Sequence, residues 1–224
     1  MTDYALKNVD PEDIEELLVK VEQSFGIRFV SGELTHVNTF GELCDHIVNK
    51  IQLNSTNDCT SQQAFYKLRE AISSTLQIDH KKISANFLLT DILPAQSRRL
   101  KVRKLEDALG FKLNILSPPD WVIWSLLFLS IGAFIALFFN WKIGLSGIVF
   151  SIAGFWFAEK IANELNLQTV GQVAEKMTRE NYLKSRRNPN TFNQKEIEKV
   201  LTDWFSDEFG LEKAELTREA ALTH

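Results

Sequence analysis

The 224-residue sequence predicts an all-α protein: two small helical bundles and a two-helix membrane hairpin. Three observations lead there. Residues 121–158, WVIWSLLFLSIGAFIALFFNWKIGLSGIVFSIAGFWFA, carry a single charge, Lys142. Outside this run, apolar residues recur at steps of three and four, as in Ile197, Val200, Leu201, Trp204, Phe205 and Phe209, which is the period of a helix. The soluble stretches also match one another piece by piece, in a fixed order.

The hairpin is assigned to residues 120–158. Asn140-Trp141-Lys142 divides it into arms 121–139 and 143–158. At about 1.5 Å per residue the first arm reaches about 28 Å, against a bilayer core of about 30 Å. The second arm is about three residues shorter, so it needs Trp141 and Lys142 at the interface or local thinning of the bilayer. Trp121, Trp124, Trp141 and Trp156 fall near the arm ends, where indoles favour the headgroup region. Small residues mark an expected packing face: Ser125, Gly132 and Ala136 in the first arm, Gly144, Gly147, Ser151 and Gly154 in the second. A soluble core hairpin would show a polar side, and these arms have none. No ionisable residue lies mid-span, so nothing points to a pump or channel path, and the hairpin reads as an anchor. Basic residues flank both ends of the hairpin while its turn offers only Lys142. The positive-inside rule then puts both termini in the cytoplasm, in a two-pass protein of a bacterial inner membrane. The acidic start MTDYALKNVDPEDIEELL lacks the features of an export signal.

Composition narrows the functional classes. The chain is 45% hydrophobic and 24% charged with net charge -4, which exerts no pull toward nucleic acid. Two cysteines are too few for a disulfide framework. Cys44, His46 and Cys59 lack the spacing of a zinc site, and Cys44 and Ile47 continue the apolar stripe of Phe40 and Leu43. His36 and His80 fall in expected loops. With no Gly-rich phosphate loop and no nucleophile motif, the sequence suggests neither an enzyme nor a cofactor.

The internal matches are of three kinds. AFYKLREAISSTLQIDHKKISANFLL overlays EIEKVLTDWFSDEFGLEKAELTREAAL, with Leu68 on Leu201, Ile72 on Phe205 and Ile83 on Leu216. VEQSFGIRF (21–29) overlays LEDALGFKL (105–113), each ending a helix at a glycine, Gly26 or Gly110. TFGELCDHI (39–47) overlays TVGQVAEKM (169–177), where Thr39 with Glu42 and Thr169 with Gln172 spell capping boxes. Helix, long loop, helix ending at glycine, connector and Thr-capped helix is an order that resembles the acyl carrier protein family, a four-helix bundle of about 80 residues. The matching pieces cover most of the chain outside the hairpin.

The resemblance implies two carrier-like bundles. One comprises 61–116 and 161–184, interrupted by the hairpin. The other is 1–58 completed by 193–224, a circular permutation in which the last helix and its loop supply the missing first helix. Residues 185–192 would be a linker. The alternative for the tail is a solitary amphipathic helix that binds a partner or lies on lipid.

Carriers of this family act through a serine in an Asp-Ser-Leu motif at the start of their second helix, which holds phosphopantetheine. Here the equivalent position falls at Pro11 or Asn8 in the first copy, and at Ala95 or Gln96 in the second. Ser97 is the nearest hydroxyl, with Gln96 where the motif has Asp and Arg98 where it has Leu; its plain role would be a helix N-cap. Both copies therefore read as carriers without the prosthetic group. In the first copy the second helix is acidic, with Asp10, Glu12, Asp13, Glu15 and Glu16, and is the expected surface for a protein partner or for self-association. In the second it is basic, with Arg98, Arg99, Lys101, Arg103 and Lys104. That run is expected to lie against lipid headgroups or to face the acidic helix of the other copy. It has no interleaved aromatics of the kind that bind nucleic acid. Three functions remain: a membrane-anchored, non-catalytic docking protein, a working carrier modified at Ser97, or a subunit of a transport or secretion complex.

Overall fold

The computed structural model describes Leu6 and residues 9–222. It is predominantly helical. In order it contains α1 (Pro11–Phe25), α2 (Phe40–Lys50), β1 (Asn54–Ser55), α3 (Thr60–Leu76), α4 (Leu89–Ile92), α5 (Arg98–Leu109), β2 (Leu116–Ser117), α6 (Asp120–Phe139), α7 (Trp141–Ile161), β3 (Glu164–Leu165), α8 (Val170–Glu180), α9 (Tyr182–Ser185), β4 (Thr191–Phe192) and α10 (Gln194–Phe209). Two compact units divide the chain, residues 1–71 with 171–224 and residues 72–170, and the division passes through α3 and α8.

In the first unit three helices start on side-chain caps. Asp10 accepts from the Glu12 amide at 3.0 Å ahead of Pro11. Thr39 and Glu42 form the reciprocal capping box, each bond 3.2 Å long. Asn193 accepts from the Lys195 amide at 3.1 Å. Such caps satisfy amides that have no partner within the helix. The apolar faces of these helices meet in one core. Leu17, Val21 and Phe25 come from α1, Phe40, Leu43 and Ile47 from α2, and Ile197, Leu201 and Phe205 from α10. The Phe40 and Phe205 rings meet edge-on at 5.2 Å.

Past α10 the chain runs back to the start of α2. The Phe40 amide donates to the Ala220 carbonyl at 2.8 Å, Gly41 to Arg218 at 2.9 Å, and Leu222 donates to Asn38 at 2.9 Å. Arg218 also pairs with Asp45 at 2.6 Å and Glu198 at 2.5 Å. This approach requires glycine at 41, because a Cβ there would stand 2.8 Å from the Arg218 carbonyl oxygen.

The second unit repeats these bonds at the positions that the internal alignment equates. The Val170 amide donates to the Phe87 carbonyl at 3.0 Å and the Leu89 amide to Gln168 at 2.8 Å. The antiparallel bridge Leu88–Thr169 corresponds to Thr39–Ala221. Leu113 donates its amide to Glu106 at 2.9 Å, as Phe29 does to Glu22. Gly110 ends α5 at φ 79° as Gly26 ends α1 at φ 63°. Gln77, past α3, sits at φ 57° where Gly210, past α10, sits at φ 65°. The chain order of these pieces differs: 87–89 precedes 168–170, whereas 220–222 follows 38–40.

Within the second unit, α6 (20 residues) and α7 (21 residues) are long and apolar enough to cross a membrane. Their turn is one residue, Asn140. Its amide closes α6 on Ala136 at 2.8 Å, its side chain accepts from Lys142 at 3.1 Å, and its carbonyl accepts from Gly144 at 3.0 Å. The helix therefore resumes at Trp141 and continues to Ile161, about 31 Å at the usual rise, so Trp141 and Lys142 belong to its first turn. The packing face on α7 is the expected one. A Cβ at Gly144, Gly147 or Gly154 would stand 2.6 Å from Leu137, Ala133 or Leu126 respectively, and Ser151 is buried, its hydroxyl on the Gly147 carbonyl at 2.9 Å. On α6 the expectation was out of phase. Gly132 faces open space, and the residues that meet the α7 glycines are Leu126, Ala133 and Leu137. Large residues of α6 fill the notches that glycines leave in α7, so a stripe of small residues on one arm does not locate the facing stripe on the other. Below the helices, Leu116 pairs with Leu165 and Ser117 with Glu164 in a short antiparallel ladder.

The segment 185–192, expected as a linker, is folded. Ser185 and Arg186 are buried, and Thr191–Phe192 pairs in parallel with Asn54–Ser55.

Candidate docking surface

All five acidic residues singled out on α1 are exposed. Asp10 is committed to capping the helix, and Glu16 pairs with Lys20 at 3.3 Å. Glu12, Asp13 and Glu15 carry no ion pair among the described residues. Carboxylates in a first helical turn are favoured by the helix dipole, so this charge is cheap to maintain.

Beside that face lies a feature the sequence did not reveal. Between α1 and the loop 29–37 is an open concavity of about 610 Å³, with Ile14, Leu18, Val37 and Leu43 among its lining. Val19 and Val30 stand at its edge, 50% and 70% exposed. Exposed aliphatic groups here border the unpaired Glu15 carboxylate.

Glu33 holds the loop that forms one wall. Its carboxylate accepts from Lys50 Nζ at 2.5 Å, meets His46 Nε2 at 3.0 Å, and accepts the Val30 amide at 2.7 Å. The Lys50 bond first, and then the Val30 amide, pull its pKa from 4.5 down to about 2. A carboxylate with a depressed folded pKa contributes stability that is fully present above its ordinary value and is lost as pH falls toward the folded one. Amide-exchange protection at Val30 is therefore expected to hold down to about pH 4.5 and to fade as the pH approaches 2. In Glu33→Gln that protection is expected to be weak at every pH; a Val30 amide equally protected in both proteins would show that Glu33 does not hold the loop.

The basic residues of α5 divide into two groups. Arg98 is half-buried, donating to the carbonyls of Leu93 at 2.9 Å and Asn163 at 2.5 Å. Lys101, also half-buried, donates to Ile92 at 2.9 Å. Those two, expected at lipid headgroups or facing the acidic helix of the other copy, donate to backbone carbonyls. Arg99, Arg103 and Lys104 remain exposed, and Arg99 also reaches the Lys160 carbonyl at the end of α7. Asn163 completes the joint through its amide to the Ala95 carbonyl at 3.0 Å. Nothing in the sequence marked Asn163, because a lone asparagine after an apolar helix has no pattern to belong to.

The positions that the resemblance would equate with a carrier serine can now be placed. Pro11 opens α1 and has no hydroxyl; Asn8 lies outside the described residues. Ala95 and Gln96 sit in the turn before α5. Ser97 stands at the N-cap of α5 but makes no side-chain cap bond, contrary to its expected structural role. Its φ of -121° and ψ of 6° differ from the extended backbone of the capping residues Asp10 and Thr39. Cys44 is buried in the first unit's core, where burial pushes its thiol up to about 12, a value that keeps it protonated and unreactive.

No family model, curated protein or solved structure matches the chain.

Proposed function

We propose that the protein is a membrane-held docking protein built on two carrier-like helical bundles, and that it does no catalysis itself. In this reading α6 and α7 anchor it in the cytoplasmic membrane as a two-pass hairpin with both soluble parts inside. The surface formed by α1 and its adjoining concavity receives a protein partner. The observation that carries the reading is the concavity beside α1, where the unpaired Glu15 carboxylate borders Ile14, Leu18 and Leu43. The repeated backbone bonds support a carrier-like ancestry for both units. Their reversed chain order in the first unit supports a circular permutation, with α10 and its loop standing where a carrier has its first helix. A chain in which residues 193–222 are moved ahead of residue 9 is expected to keep the fold of that unit.

A second reading has one observation in its favour: the Ser97 hydroxyl stands uncapped at the start of α5. It would make the protein a working carrier. The intact mass after co-expression with a broad-specificity phosphopantetheinyl transferase separates the two. No added mass is expected. A gain of one phosphopantetheine, abolished by Ser97→Ala, would make the protein a membrane-tethered carrier instead.

A further inference from the structure

The base of the hairpin carries a group of residues that neither the anchor nor the docking surface uses. The Lys160 ammonium lies over the Trp156 indole, 3.3 Å from the ring centroid. The Arg99 guanidinium donates to the carbonyl of that same Lys160. Both cations are exposed, and neither has an ion pair among the described residues. Acidic neighbours exist on the same side of the hairpin, Asp120, Glu159 and Glu164, all exposed, and none pairs with either cation. Two cations held at the end of one helix, one over Trp156 and one at the carbonyl of residue 160, with neither ion-paired, favour an anion there.

The kind of anion follows from what lies beneath. Val149, Ile152, Trp156 and Lys160 are spaced by three, four and four residues, so they share one face of α7. Val149, Ile152 and Trp156 are 60%, 65% and 61% exposed. The face thus reads, from midspan to end, aliphatic, aliphatic, indole, ammonium. That sequence matches the profile of one phospholipid, with acyl chain, glycerol level and phosphate in the same order. Indoles collect at the boundary between hydrocarbon and headgroups, which sets Lys160 and Arg99 at phosphate depth. A soluble phosphate would have no use for the apolar stripe.

We propose that Arg99 and Lys160 bind the phosphate of one anionic phospholipid, whose acyl chain lies along Trp156, Ile152 and Val149. The site rests on reading α6 and α7 as a membrane hairpin. It assigns a specific role to two cations, where the sequence alone suggested only a diffuse basic run.

The test uses the full chain reconstituted in nanodiscs of phosphatidylcholine mixed with phosphatidylglycerol. The lipids retained after mild detergent extraction are identified by mass spectrometry. Phosphatidylglycerol is expected to be enriched over its share of the disc. Each cation near an anionic surface is worth about fivefold in affinity, so Lys160→Gln is expected to cut the enrichment about fivefold and Arg99→Gln with Lys160→Gln further. Beyond its contact with Trp156 the Lys160 side chain makes no hydrogen bond or ion pair among the described residues, so its single variant reports on the site even if the double variant is poorly folded. Arg103→Gln with Lys104→Gln, which removes two cations elsewhere on α5, is expected to leave the enrichment unchanged. Equal losses from both double variants, or no enrichment in the unmodified chain, would overturn the site while leaving the anchor intact. A chain that fails to stay with the disc would overturn the hairpin and the site together.

Discussion

Deleting residues 193–224 is expected to unfold α1 and α2, although both helices remain in the chain. Removal of α10 strips Ile197, Leu201 and Phe205, none of them exposed to solvent, and Trp204, only 3% exposed, from the core they share with Leu17, Phe25 and Phe40. Truncating one buried phenylalanine to alanine costs about 3–5 kcal/mol, against a typical domain stability of about 5–15 kcal/mol. Phe205→Ala alone should therefore bring the unit near its limit, since Phe205 touches Phe40 on one side and Phe209 on the other. Losing the whole helix exceeds any such margin. The tail also satisfies backbone at the start of α2, through Ala220 and Arg218, so the deletion exposes polar groups as well as apolar ones. Hydrogen exchange of the α1 amides in the reconstituted protein measures the effect. Protection close to that of the intact chain would mean that residues 9–51 hold together without α10, and the permuted bundle would have to be abandoned.

Some features could be read from the sequence because they are periodic or sit at fixed chemical signals. The stripe of Ile197, Leu201 and Phe205, the glycine stops at 26 and 110, and the Thr39–Glu42 box each follow from local rules, and the helices begin and end where those rules put them. The small-residue face of α7 could be read for the same reason. Its partner face on α6 could not, because which residues fill a notch depends on the rotation of the facing helix, and Leu137 or Ala133 in an all-apolar helix looks like any neighbour. The acidic face of α1 was visible as composition, but the concavity beside it depends on where the loop 29–37 comes to rest. That loop is held by Glu33, His46 and Lys50, residues separated by 13 and 17 positions that share no motif. The five basic residues of α5 looked alike in sequence. Their sorting into half-buried carbonyl donors and exposed charges comes from tertiary neighbours, the ends of α4 and α7.

Arg186→Ala is expected to be as damaging as a large core truncation, although the residue lies in a stretch that reads as a charged linker. Arg186 is 1% exposed, among the most buried residues of the protein. Its guanidinium donates to the hydroxyls of Thr191 at 3.2 Å and Thr56 at 2.7 Å, to that of Thr60, and to the Asp58 carbonyl at 3.4 Å, beside the Tyr182 ring. Tyr182 in turn accepts the Asn193 amide at 3.0 Å that leads into α10, and Glu196 accepts the Thr60 amide at 3.0 Å. One planar cation thus ties the segment before α3 to the segment before α10. Burying a guanidinium is costly unless its donors are met, and here hydroxyls and a carbonyl meet them. Alanine would leave a cavity and several polar groups without their partner, a loss of about 3–5 kcal/mol. Arg186→Lys is expected to recover little of it, because a single ammonium cannot reach acceptors spread around a planar fork. Arg187→Ala is the control. That side chain is exposed, and its one bond here is made by its backbone amide to Gln63, so a change within about 0.5 kcal/mol is expected. Denaturant unfolding followed through the buried Trp204 compares the three variants. If Arg186→Ala and Arg187→Ala shifted the midpoint equally, the buried network would not be what holds α10 in register with the rest of its core.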